Sequence, residues 1–197
     1  TMSENKPIQL GLCCLNTVLR GQKPFPVFAS RKMIIRTVKE KGIGALKQKI
    51  IQNLKDVLTM MDWNEQNGIK VFRLSSELFP HKSNPKVEDY DFDFAVDLLK
   101  QIGEKSKKYN QRLTFHPGQF NNLGTPHSKT LRMTIADLDY HASVLDIMEM
   151  ANDSVMVIHG GGIYGDKETL FIRCFELYKK EQMALVCDIF NNNQWIW

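Results

Sequence analysis

Two histidines stand where the character of the chain changes abruptly. His116 closes the run Arg112-Leu113-Thr114-Phe115 and is followed by Pro117-Gly118; His159 closes Ser154 to Ile158 and is followed by Gly160-Gly161-Gly162. A histidine at the carboxyl end of a parallel strand lies where α/β barrels and open α/β sheets place their chemistry. Neutral imidazole is a good ligand for Zn, Mn or Fe. One such residue is explained more simply by a local hydrogen bond that closes the strand. Two of them, each opening a Gly-rich break, point to a shared site for a divalent metal.

Other residues gather around that pair. Asp188 interrupts the apolar run Ala184 to Phe190. A carboxylate there is costly to bury unless paired or metal-bound, so it is either a third ligand or a solvent-facing strand end. Arg73, Ser75 and Ser76 end another strand-like run, and Arg73 could clamp a phosphate or pair with a carboxylate inside the sheet. Gly160 to Gly162, then Tyr164-Gly165-Asp166-Lys167, offer backbone amides at a helix start, as a phosphate cradle or as a merely tight loop. Neither a GxxxxGK[ST] loop nor a GxGxxG fingerprint is present. Gln119-Phe120 directly follows the first histidine's loop; a rim aromatic there either covers the barrel mouth or wedges into a base stack. His141 shares a helical apolar stripe with Leu138 and Leu145, which marks a core histidine, whereas His81 and His127 read as loop residues without an evident partner.

The elements that must carry these residues alternate between strand and helix. Strands are expected at Ile8–Cys14, Ile69–Leu74, Arg112–Phe115, Ser154–Ile158 and Met183–Phe190. Between them, Leu46, Ile50, Leu54, Leu58 and Met61 recur at helical spacing. Asp91 is placed to cap a second helix, Ser128 a third, and a fourth is expected from about Asp166 to Lys180. Crossovers long enough for a helix mean a parallel sheet. The strand starts at 69, 112 and 154 are evenly spaced, and the next step, to 183, is short. Periodicity alone leaves an open sheet and an incomplete barrel equally open.

Composition excludes several classes. The 197 residues are 43% hydrophobic and 24% charged, with a net charge of +4, which suits one soluble domain. Between Arg31 and Lys55, eight basic residues (Arg31, Lys32, Arg36, Lys39, Lys41, Lys47, Lys49, Lys55) face the single acid Glu40. Such a block either contacts phosphates or forms a solvated basic face. The four cysteines, Cys13, Cys14, Cys174 and Cys187, form no CxxC pair and are expected to be buried free thiols. No secretory leader or long apolar run is visible, so an intracellular protein without membrane contact is expected.

Five stretches together carry a family resemblance. They are Leu10-Gly11-Leu12 with Asn16, Phe72 to Pro80, Thr114 to Phe120, Leu138 to Ala142, and Ile158 to Lys167. In this order and spacing the chain resembles the UV damage endonucleases. The resemblance implies a TIM barrel related to endonuclease IV, here incomplete, with about five parallel strands and flanking helices in a single domain over 1–197. It implies a nuclease that nicks DNA 5′ of UV photoproducts with a cluster of divalent metals, commonly Mn²⁺, acting as a monomer on damaged double-stranded DNA. His116, His159 and Asp188 would then be metal ligands. Gln119 and Phe120 would probe the duplex, with Asn16 at the mouth of the first strand; Arg73 and Lys167, from their own positions, are expected as further DNA contacts.

Two departures matter. No Leu-Glu-Asn-Asp-like acidic motif is present, and Asn191 and Asn192 stand where the family has histidines. One strand-helix unit and the later barrel strands are therefore expected to be missing, with weak or absent incision and an exposed strand edge along Met183 to Phe190. A non-enzymatic remnant that binds DNA and a sugar isomerase-like barrel are the competing readings.

Overall fold

A computed structural model describes residues 8–151, 154–159, 165–166 and 168–169. Strands β1 (Leu10–Cys13), β2 (Ile69–Leu74) and β3 (Arg112–Phe115) form a parallel sheet in the order β1-β2-β3. Helix α1 (Thr17–Arg20) is a single turn after β1; α2 (Ile35–Gln66), α3 (Val96–Tyr109) and α4 (Ser128–Ile147) are the long elements. The expected fourth strand is represented by one parallel bridge, Phe115 to Met156. Phe115 N donates to Val155 O at 3.1 Å, and Val157 N donates to Phe115 O at 2.9 Å. The expected fifth strand and the body of the last helix lie outside the described residues.

Side-chain alternation turns this register into two distinct faces. Phe72, Leu74, Leu113 and Phe115 are essentially inaccessible to solvent and meet the helices. Against them α2 packs Leu46, Ile50, Leu54, Val57, Met60 and Met61, α3 packs Leu99 and Ile102, and α4 packs Leu138, Val144 and Leu145. Each such side chain contributes about 2 kcal/mol by leaving water. The opposite face carries Cys13, Arg73 and Thr114, which are partners in register. Continuing the alternation brings His116 to that same face.

Helix ends depart from the sequence expectations. The carboxylate of Asp91 lies 3.4 Å from Lys47 Nζ instead of capping α3, which is entered through a 3-10 turn at Asp93–Ala95. Ser128 is the first helical residue of α4, and His127 in the cap position makes no side-chain capping bond. Asp166, expected as a helix start, does cap: Oδ1 accepts the Thr169 amide at 2.7 Å. Inside α2, Gly42 has φ 78° and ψ 168°, so a short Ile35–Lys41 segment meets the long helix at a kink. A residue with a Cβ is disfavoured at that φ, which is why glycine occupies the bend. Cys13 is exposed, contrary to the expectation of burial, because it lies on the face that the helices leave uncovered.

The backbones of α3 and of the residue that ends α4 approach closely at Gly103. A Cβ placed on Gly103 would come within 1.8 Å of the Met148 carbonyl oxygen. Backbone cannot yield as a side-chain tip can, so Gly103→Ala is expected to lower the unfolding free energy by about 3 kcal/mol in urea denaturation, the upper range for overpacking.

Candidate functional site on the carboxyl rim of the sheet

His116 follows β3 directly, and His159 follows the Met156 bridge. Both bear on the uncovered face, and their rings stack with centroids 4.6 Å apart and planes at 30°. Arg73, at the end of β2, makes no ion pair among the described residues, and its Nε is buried without a hydrogen-bond partner there. Of the two alternatives raised for Arg73, the carboxylate partner is therefore not found. Partial burial, then the Arg73 guanidinium, then His159, pull the titration of His116 below that of an ordinary imidazole. All three favour the neutral ring, whose lone pair can ligate.

Asn16 stands at the end of β1 and is buried. Its Oδ1 accepts the Leu19 amide at 2.9 Å and starts α1, while its Nδ2 has no partner among the described residues. The family resemblance implies a DNA contact at Asn16; its side-chain carbonyl oxygen has a structural task, and only the amide hydrogens are uncommitted among the described residues. Lys167 and Asp188 lie outside the described residues. Among the described residues no three His, Cys, Asp or Glu converge as they would around a metal ion.

Gln119 and Phe120 form the tip of a turn closed by Asn121 N donating to Gly118 O at 3.0 Å. Phe120 is 62% exposed. Its ring folds back over Gly118, where a Cβ would sit 2.4 Å from Phe120 Cε1, so glycine is what lets the ring lie there. The far side of the turn is bolted to α4. Asn121 Nδ2 donates to Asp137 Oδ2 at 2.7 Å, and Asn122 N donates to Thr134 Oγ1 at 3.0 Å.

The basic block divides on folding. Arg31 pairs with buried Asp56, stacks on Phe28 with its guanidinium carbon 4.1 Å from the ring centroid, and so pins the loop between β1 and α2. Asn53 grips the same loop, accepting from Arg31 N at 2.8 Å and donating to Arg31 O at 3.0 Å. Arg31 is thus structural. Lys47 is paired with Asp91, Arg36 with Glu40 and, more loosely, Lys32 with Glu77. Lys39, Lys41, Lys49 and Lys55 are exposed and form no ion pair among the described residues.

His141 is a core histidine, as its stripe predicts: Nδ1 bonds Asp137 O at 2.7 Å and Nε2 lies 3.0 Å from Tyr140 Oη. His81 does have a partner, since its Nε2 is 2.6 Å from Met33 O, across the loop from β1. Asp137 was missed. The signal was available, because Asp137 shares the buried stripe of α4 with His141 one turn on, and a carboxylate in such a stripe must be satisfied.

A parallel sheet packed under helices, with paired imidazoles and an exposed Gln-Phe turn at its strand ends, defines an α/β protein whose chemistry belongs on the carboxyl rim. Comparison with known proteins names the group. Residues 8–185 match the model of the UV-endonuclease UvdE family. A protein of Acanthamoeba polyphaga mimivirus is 42% identical over 177 residues, 88% of this chain and 53% of that protein. The UV-damage endonuclease of Schizosaccharomyces pombe is 40% identical over 175 residues, 84% of this chain and 29% of that protein. The crystal structure of SacUVDE superposes with a TM-score of 0.77 at 27% identity, covering 88% of this chain and 56% of that one. The chain belongs to the UvdE family, and it spans about half the length of the mimivirus relative and less of the yeast one.

Because Arg73 disfavours the imidazolium, Arg73→Met is expected to raise the midpoint at which His116 titrates. NMR of the His116 ring protons against pH checks this; a midpoint unchanged or lowered would contradict the placement of Arg73.

Proposed function

We propose that this chain recognises UV-damaged double-stranded DNA with the Gln119-Phe120 turn and carries, on a TIM-barrel frame, a metal-dependent site for cutting the backbone 5′ of the lesion. The observation that supports this most is the stacking of His159 on His116, the residue that begins the loop presenting an exposed amide and aromatic at its tip. An aromatic on a preorganised turn can unstack a base step, and damaged steps are the cheapest to open. Lys39, Lys41, Lys49 and Lys55 supply charge for phosphates without encoding sequence.

The donor set fits a divalent ion: two imidazoles close together, one of them in surroundings that favour its neutral form; the family resemblance implies manganese. His116 and His159 would hold it, with Asp188 as a further ligand. Such an ion would supply Lewis acidity, acidifying the hydrolytic water and offsetting charge on the departing oxygen. Arg73, beside His116, would bind and orient the scissile phosphate, with Lys167 a further phosphate contact. No helix among the described residues is long and apolar enough to cross a membrane. We place the protein on DNA inside the cell, as a monomer.

For the 197-residue chain we propose lesion binding with weak incision, because Asn191 and Asn192 stand where the family resemblance puts histidines. The test is binding and nicking of irradiated against untreated plasmid, with Mn²⁺ and with chelator. Preferential binding of irradiated DNA is expected, and Phe120→Ala should reduce it by about tenfold, the scale of one base-aromatic stack. Replacing both His116 and His159 by Ala should abolish Mn²⁺ binding in calorimetry. Equal affinity for treated and untreated DNA would remove the damaged-DNA reading, and efficient nicking would remove the claim of weak incision.

A further inference from the structure

Asp137 on α4 is 5% exposed, yet both its carboxylate oxygens are engaged. Oδ1 accepts from Ser83 Oγ at 2.6 Å, and Oδ2 accepts from Asn121 Nδ2 at 2.7 Å. Ser83 belongs to the connection from β2 to α3, and Asn121 to the connection from β3 to α4. One buried carboxylate therefore ties together two rim loops from separate crossovers. Asn121 is also the residue that closes the turn carrying Gln119 and Phe120. The same helix holds the first loop at a second point, where Tyr140 Oη lies 2.8 Å from Ser76 O.

The geometry points to Asp137 as the positioning residue of lesion probing: it locks the turn to the loop after β2, so that Phe120 meets the duplex already oriented. This rests on the damaged-DNA reading above. A turn that is ordered before binding loses less freedom on contact, so the lock is felt as affinity for the distorted duplex. Two charge-assisted bonds to one carboxylate are stronger than bonds to a neutral acceptor. The chemistry also makes the lock brittle. An Asn at this position keeps the shape but loses the charge. Its one oxygen can still accept from Asn121, its NH₂ can reach only the Ser83 hydroxyl oxygen, and both contacts become weaker neutral bonds.

Hydrogen exchange measured by mass spectrometry on the DNA-free chain tests the lock itself. Asp137→Asn should raise exchange at 118–122 and 82–85 while leaving the long part of α2 and β2 unchanged. Ser83→Ala, which removes a single bond and folds more safely, should also raise exchange at 118–122, although it lies far from that turn in sequence. Unchanged exchange at the turn in both variants overturns the lock, as does a uniform rise across α2 and β2. Fluorescence anisotropy then tests the function. In Asp137→Asn, affinity for a duplex carrying a single photoproduct should fall about tenfold, with affinity for undamaged duplex unchanged. Should the native chain prefer damaged duplex and Asp137→Asn prefer it equally, the positioning role is overturned. Should exchange change as expected while the native chain shows no such preference, the lock stands and the damaged-DNA reading fails.

Discussion

The parallel register of β2 between β1 and β3 is the constraint on which the site depends. Val71 opposes Arg112, and Arg73 opposes Thr114. With a side-chain period of two, this pairing sends Phe72, Leu74, Leu113 and Phe115 beneath the helices and Arg73, Thr114 and His116 to the other side. A slip of β2 by one residue would turn its side chains over, exposing Phe72 and Leu74 and burying an arginine. The core therefore enforces the register, and the register delivers the chemistry. The Phe115-Met156 bridge extends the same logic to His159, since Met156 is buried with the core and the alternation carries His159 to the side of His116.

Beyond the strand ends the chain is irregular, and its order comes from buried carboxylates instead of a ladder. Asp56 on α2 receives Phe28 N at 2.8 Å and the Arg31 guanidinium, fixing the loop after β1. Asp137 on α4 does the equivalent for the loops after β2 and β3. Each of the two helices lends one buried acid to hold the loops of the rim. Burying a carboxylate is costly, and each is tolerated because its oxygens find donors. Rim loops that are pinned in this way can still present an exposed aromatic without collapsing onto it.

The basic block shows how folding sorts charge. Eight cations that look equivalent along the chain become a structural arginine, three paired residues and four exposed lysines. Surface pairs such as Arg36-Glu40 add little to stability, and they partly neutralise the field that a nucleic acid would meet. The exposed lysines follow the outer side of α2 because its inner side is filled by Leu46, Ile50, Leu54 and Val57.

Much of the frame was legible from residue order. Ile69–Leu74 and Arg112–Phe115 are strands as their apolar runs indicate, α2 and α4 follow their 3.6-residue stripes, and the five resembling stretches lead to the UvdE family. These signals are local, carried by periodicity and by short motifs. What local pattern could not decide was partnership. That Asp91 would answer Lys47 instead of capping a helix, that Arg31 would be spent on Asp56, and that His81 would bond to Met33 all depend on side chains brought together from distant positions. The same holds for the stacking of His116 on His159 and for the tie from Ser83 through Asp137 to Asn121. Residue types determined that strand-end imidazoles and a Gln-Phe tip exist; only the register and the buried acids decided that they share one rim and how firmly it is held, because satisfying a buried polar group is a property of the assembled fold.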